Sequence, residues 1–235
     1  AGCPRCGSNT LPKPPRRHWR FHEVVGSAAN HHHRALPSER GVWDFEITQP
    51  ALVLGSRQSA SLIDAQACEA RGIDVVTRRS GGGLMLLVPG EHLWLDVVIG
   101  SDDPLWSNDV QTSMAWLGEI WQRALAEVGV TDTQVASGGL VADELGQLVC
   151  FAGRGPGEVM GPTGMTKYVG ISQRRTRDQA RFQCTSYMTW DARVLAELLA
   201  EPITDVERLT RMVGLVPVSP RVLAARVFEL ISELD

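Results

Sequence analysis

Apolar and polar residues alternate with a period of two over positions 41–47 and 92–99, and short continuous apolar runs occupy 51–55, 73–76, 84–88 and 148–152. Alternation predicts half-buried strands, and short runs bounded by turn residues predict buried ones. In the second alternating stretch, Leu93, Leu95, Val97 and Ile99 form one clearly apolar face against His92, Trp94, Asp96 and Val98. Further strands are expected at 158–160, 167–172 and 182–188, the first two joined as a hairpin through Gly161-Pro162-Thr163-Gly164.

Helical spacing appears elsewhere. Val110, Met114, Leu117, Trp121, Leu125 and Val128 recur at three- and four-residue intervals, with Asp109 near the start and Gly129 after the end, so the clearest helix lies there. Shorter helices are expected over 22–36, 60–71, 194–199 and 206–213. The last helix has Ser219 as cap and Pro220 at its first position, with Val222, Leu223, Val227, Leu230 and Leu234 facing inward. Strands dominate the first part and the middle, and helices close the end. That distribution predicts an α/β (α+β) domain, a mixed sheet with helices on one side.

Length and composition are consistent with one soluble domain: 235 residues, 43% hydrophobic and 21% charged. Residues 1–19, with Pro12, Pro14, Pro15, Arg16 and Arg17, predict a flexible tail, and 20–235 a single domain. A net charge of −4 makes no electrostatic case for nucleic acid. Without a long apolar run or a secretory signal, the expectation is a cytoplasmic protein that does not enter a membrane. Cys3, Cys6, Cys68, Cys150 and Cys184 are too few and scattered for a disulfide framework. Cys3 and Cys6 have the spacing of half a zinc site, but His31-His32-His33 does not complete a standard one, so no metal site is expected.

Two segments carry candidate chemistry. Arg78-Arg79-Ser80-Gly81-Gly82-Gly83 separates two strand-like runs, where glycine marks a bulge or the close approach of a backbone or ligand. Its two arginines are cationic forks suited to a carboxylate or phosphate. The second segment starts at Lys167. Of the chain's 23 lysines and arginines only Lys13 and Lys167 are lysine, and only Lys167 lies in the folded body. A compact ammonium can follow a charge that moves during a reaction.

Together these segments resemble the lipoate ligase and octanoyl transferase family, whose fold is shared with biotin protein ligases. Arg78 to Gly83 is similar to the family's arginine, serine and triple-glycine motif, and Lys167, Gly170, Ser172, Gln173 and Arg174 to its lysine motif. Gln49-Pro50 through Gly55-Ser56-Arg57-Gln58 resembles its early proline, glycine and glutamine stretch. The resemblance implies a largely antiparallel mixed sheet with flanking helices, and an enzyme that attaches lipoate or octanoate to a lysine of a lipoyl carrier domain or a glycine cleavage H-like protein. In the first reading, an ATP-dependent ligase, ATP with Mg2+ makes an acyl adenylate. Arg78 and the turn Ser80, Gly81, Gly82 and Gly83 then bind substrate or nucleotide with Gly170, Ser172 and Gln173, while Lys167 stabilises developing charge.

In the alternative, an octanoyl or lipoyl transferase, Cys150 is the acyl-thioester nucleophile, with Cys184 as its rival. A non-catalytic acyl-binding homologue is the third reading. Two departures from the family pattern bear on the choice. The histidine and aspartate usual after the triple glycine are replaced by the apolar stretch from Leu86 to Pro89, and the histidine and glycine after the lysine motif are missing around Cys184.

Overall fold

Strand pairing follows the alternation in the sequence. In the computed structural model, which describes residues 18–234, the strands begin with β1 (Phe21–Gly26), β2 (Gly41–Ile47), β3 (Ala51–Leu54), β4 (Asp74–Thr77) and β5 (Met85–Leu87). They continue with β6 (His92–Gly100), β7 (Gln134–Val135), β8 (Val159–Met160), β9 (Lys167–Arg175) and β10 (Gln179–Tyr187). One sheet has the order β1-β2-β6-β10-β9-β8-β7, and a second the order β4-β3-β5. Pairing in the larger sheet is antiparallel except between β1 and β2. The mixed, largely antiparallel sheet with flanking helices is therefore present.

The helices are α1 (Ala28–His33), α2 (Ala65–Ala70), α3 (Ala115–Glu127), α4 (Glu144–Leu148), α5 (Ala192–Ala196), α6 (Val206–Met212) and α7 (Pro220–Ser232). Every residue of β6 is buried, because both of its faces are covered and not only the apolar one. Leu93, Leu95, Val97 and Ile99 pack with Leu117 and Trp121 of α3 and with Leu223 and Val227 of α7. On the opposite face Trp94 and Val98 pack with Val53 and Met85 of the second sheet. Leu52 and Leu54 on that sheet's far side meet Cys68 of α2, Leu195 of α5 and Leu209 of α6. Helices thus flank both outer surfaces of a two-sheet stack, where one helical side was expected. Each fully buried large apolar side chain in these layers contributes about 1.5–3 kcal/mol.

Several expected elements differ. The helix expected over 22–36 is a strand followed by a short helix: β1 pairs with β2, and Ser27 caps α1 by accepting from the Asn30 amide at 3.2 Å. Strand pairing outweighs the weak helical periodicity there. The helix expected over 60–71 is interrupted at Asp64, whose carboxylate accepts from the Ala67 amide and starts α2 afresh. Residues 148–152 are not a strand. Asp143 caps α4, and the chain continues as a 3-10 turn at Cys150–Ala152 that sends Val149 and Phe151 into different core clusters.

Two inward faces also need correction. Val110 is 52% exposed and precedes α3, because Asp109 turns back on the Gln111 amide. In α7, Val222 is 51% exposed while Ala224 and Ile231 join the core. Of the expected tail at 1–19, residues 1–17 lie outside the described residues, as do Cys3 and Cys6. Trp19 already belongs to the body, buried with the Arg40 guanidinium 5.0 Å from its ring centre. No helix among the described residues is long and apolar enough to cross a membrane.

The strand next to the sheet edge carries a titratable position. Asp44 on β2 lies opposite Glu23 of β1, and burial, then the charges of Glu23 and Glu46, raises its carboxyl from the ordinary aspartate value to about 6. The folded state therefore holds a proton that the unfolded chain has released, and stability falls as pH rises through the window from about 4 to about 6. Asp44→Asn is expected to melt at a higher temperature than the parent near neutral pH, with the gain vanishing below about pH 4. Melting curves across that range check it; a gain independent of pH would mean that the charge is not the cause.

Candidate active site

The loop after β4 is built by backbone contacts that side chains would obstruct. A Cβ on Gly55 would lie 1.9 Å from the Gly82 carbonyl oxygen, and one on Gly83 would lie 2.6 Å from the Cys150 amide nitrogen. Gly82 also has φ +101, a left-handed conformation that favours glycine. The Leu84 amide donates to Leu148 at 2.8 Å, and the Cys150 amide to Leu84 at 3.0 Å. The glycine turn and the Cys150 segment are thus fastened edge to edge. Gln58 reinforces the joint by accepting from the Gly55 amide while donating to the carbonyls of Gln147 and Leu148.

Arg78 sits beneath this turn, 5% exposed. Its Nη2 donates to the carbonyls of Gly81 at 2.8 Å and Gly83 at 3.1 Å and lies 3.7 Å from Cys150 Sγ. The guanidinium braces the loop and sets a permanent positive charge against the thiol. The sequence suggested a fork for a carboxylate or phosphate and did not reveal these backbone partners.

Lys167 opens β9 as expected and is 1% exposed. Its Nζ donates to the Cys150 carbonyl at 2.7 Å and to Glu158 Oε1 at 2.8 Å, with Phe151 lending its ring face at 5.4 Å. Glu158, 4% exposed, also accepts from the Gly155 amide at 2.5 Å and the Ile171 amide at 3.3 Å. Sequence reasoning missed this carboxylate. Its signal was a lone acid between a glycine-rich loop and a strand, nine positions before the body's single lysine.

A second polar line runs through Ser172, Ser80, Gln183 and His32. Ser172 Oγ donates to Ser80 Oγ at 3.2 Å, Ser80 Oγ to Gln183 Oε1 at 2.9 Å, and Gln183 Nε2 lies 3.4 Å from His32 Nδ1. Burial, then the positive charges of Arg78 and Arg181, pushes His32 down to about 2, so its imidazole is neutral. Gln183 and His32 were not among the expected site residues.

Most of the expected residues line one cleft of about 400 Å³: Arg78, Gly81, Gly82, Gly83, Cys150, Lys167 and Ser172, joined by Glu158. A smaller cavity of about 20 Å³ shares Arg78, Cys150 and Ser172 with it and has Met85, Leu87 and Trp94 in its lining. Of the apolar stretch that replaces the family's histidine and aspartate, Leu87 thus contributes to an apolar floor, together with Met85 and Trp94. Gly170 belongs to that floor, and a Cβ there would lie 3.1 Å from the Phe151 ring.

Gln173 does not reach the cleft. Its amide donates to the Val110 carbonyl at 2.8 Å and to Ser113 Oγ at 3.0 Å, bracing the approach to α3. Cys184 is fully buried in the core, and burial pushes its thiol far up, so it is no rival to Cys150 as nucleophile. Among the described residues no group of three or more His, Cys, Asp or Glu could hold a metal ion.

A protein-family model, the lipoyl protein ligase A/B catalytic domain, matches residues 15–219. A search of curated sequences finds no match. Among solved structures, the Thermoplasma acidophilum protein Ta0514 with bound lipoic acid superposes with TM-score 0.68 at 19% identity, over 92% of this chain and 84% of that one. A lipoate-protein ligase A bound with ATP gives 0.68 at 17%, over 92% and 85%. The bi-partite lipoate protein ligase described with its E2 lipoyl domain, also from T. acidophilum, gives 0.68 at 17%, over 93% and 84%. The match spans most of the chain, and the protein belongs to the lipoyl protein ligase A/B catalytic domain family.

Proposed function

We infer that this chain attaches lipoate or a similar medium-chain acyl group to a lysine of a lipoyl carrier domain, and that the acyl group passes through Cys150. The attachment reaction is supported by family membership and by likeness to proteins described with lipoic acid, with ATP and with an E2 lipoyl domain. The observation that carries the route is the position of Cys150, with its sulfur 3.7 Å from the Arg78 guanidinium in a cleft with an apolar floor. The sulfur is the reacting atom of a cysteine, and the fixed guanidinium lies beside it in the lining of the cleft.

In the first step the Cys150 sulfur attacks the carbonyl carbon of an acyl thioester. The new carbon–sulfur bond replaces the donor's, and the donor leaves as a thiol with the proton that Cys150 gave up. In the second step the amine of the carrier lysine attacks the Cys150 thioester. An amide forms, the bond to Cys150 breaks, and the amine's proton returns to the sulfur. The net change is thioester plus amine to amide plus thiol.

Each step places negative charge on the acyl oxygen. An ammonium has three N–H donors, and the part of that capacity not taken by Glu158 and the Cys150 carbonyl serves this oxygen from Lys167. Glu158 holds the ammonium in place, acting as a positioning residue.

The cations of the cleft suit a triphosphate less well. Arg78 is bound to loop carbonyls and Lys167 is paired with Glu158, which leaves the exposed Arg57. Attachment through an acyl adenylate is the second reading, favoured by likeness to the ATP-bound ligase and by Arg57 on the cleft. In that route ATP, accompanied by Mg2+, would activate the carboxylate.

One assay separates the readings: a carrier domain with either an octanoyl thioester or free octanoate or lipoate, with ATP added or omitted. Thioester-dependent transfer without ATP is expected, and Cys150→Ser should lower it roughly a thousandfold. ATP-dependent transfer from the free acid that survives Cys150→Ser would establish the adenylate route instead. No transfer by either route, with stabilisation by the acid retained, would leave a binding protein. Lys167→Arg keeps the charge but alters its shape and reach, and turnover should fall roughly a hundredfold; unchanged turnover removes Lys167 from the mechanism. Glu158→Gln should lower stability by about 3 kcal/mol in denaturant titration, because the ammonium stays buried without its counter-charge.

A further inference from the structure

The acyl cleft uses Arg78 but not its neighbour. Arg79 is exposed and, with Arg34 and Arg174, borders a separate cavity of about 160 Å³. Three elements bring these side chains together. Arg34 is the C-cap of α1, Arg79 belongs to the glycine turn, and Arg174 lies on β9. Arg174 follows Ser172 on the same face of the strand, about 7 Å further along it. Arg79 directly follows Arg78, and Arg174 lies two positions after Ser172, so two of the three arginines stand on segments that also line the cleft.

A fourth arginine in the lining, Arg181, is already engaged. It pairs with the fully buried Asp96 and donates to the carbonyls of His31 at 2.9 Å and Arg34 at 3.0 Å. Arg34, Arg79 and Arg174 take part in none of the ion pairs among the described residues. The chain as a whole is acidic, with 27 Asp and Glu against 23 Lys and Arg, yet no carboxylate joins the lining of this hollow. Like charges gathered round one cavity repel, and an oxyanion among them removes that repulsion. Guanidinium forks match phosphate and carboxylate alike. Forks supplied to one cavity by three separate elements suit the tetrahedral oxygens of phosphate better than the two coplanar oxygens of a carboxylate.

The geometry points to a phosphate-binding pocket formed by Arg34, Arg79 and Arg174 beside the acyl cleft, and on the acyl-transfer reading above it holds the phosphate of the acyl donor. That phosphate belongs either to a nucleotide-type thioester such as acyl coenzyme A or to the prosthetic arm of an acyl carrier protein.

The pocket is tested first without turnover. Melting temperatures of the full chain carrying Cys150→Ser are measured in inorganic phosphate and pyrophosphate against chloride at equal ionic strength. Stabilisation specific to the phosphates is expected, and Arg79→Ser combined with Arg174→Ser should abolish it. No specific stabilisation, or stabilisation that persists in the double variant and in Arg34→Ser, overturns the pocket. This outcome does not depend on whether Cys150 carries an acyl group, so it fails separately from the proposed function.

The donor assignment is tested by kinetics on the chain with Cys150 intact, using acyl coenzyme A, an acylated carrier protein and a phosphate-free N-acetylcysteamine thioester. Arg79→Ser and Arg174→Ser should each raise KM about tenfold for a phosphate-bearing donor, the loss of one charge-assisted contact, with kcat retained. The phosphate-free thioester should be unaffected. Whichever phosphate-bearing donor loses more identifies the source, and equal losses across all three donors overturn the assignment.

Discussion

The buried ammonium of Lys167 and its carboxylate partner Glu158 set the constraint on which the site depends. Both side chains are at most 5% exposed, so neither charge can exist there without the other. Coulombic attraction offsets part of the desolvation cost, and the rest is met by hydrogen bonds from the Gly155 and Ile171 amides and by the Cys150 carbonyl. The pair thereby joins the hairpin of β8 and β9, the glycine-rich loop before it, and the turn bearing the thiol. It is held by all of them and in turn fixes their spacing.

The two sheets set this arrangement at their junction. β6 is buried on both faces, and β10 beside it supplies Gln183 to Ser80, so the larger sheet reaches across to the turn between β4 and β5 of the smaller one. The buried Asp96–Arg181 pair does similar work further along, where Arg181 fastens the end of α1 through two backbone carbonyls. Polar groups inside a stack this well packed are costly unless partnered, and these partners lie on different layers, so their bonds specify how the layers sit.

Much of this was legible in sequence, where a local pattern determines local structure. The alternation over 92–99, the cap at Ser219, and the glycines needed at Gly82 and Gly83 rest on neighbours a few positions away. Lys167 stood out by composition alone. Glu158, Gln183 and His32 did not, because their partners are distant in sequence and an isolated acid, amide or imidazole has no periodicity. The run at 148–152 misled for a related reason: five apolar residues are compatible with a strand or with a turn, and the Asp143 cap that decides between them lies before the run. Arg78 stood out as a candidate, but its backbone partners did not, since the carbonyls it grips are brought to it only by the closed glycine turn.

Cys150 is gripped through its main chain at both ends of the residue. Its amide is tied to Leu84 and its carbonyl to the Lys167 ammonium, while the sulfur alone is left without a covalent or backbone restraint. An acyl chain attached to that sulfur can therefore be reoriented only by rotation about the Cα–Cβ bond and the bonds beyond it, among a small set of staggered positions. On the proposed transfer route the residue would act as a short crane on a fixed base, with receiving a cargo and handing it over as two settings of one pivot.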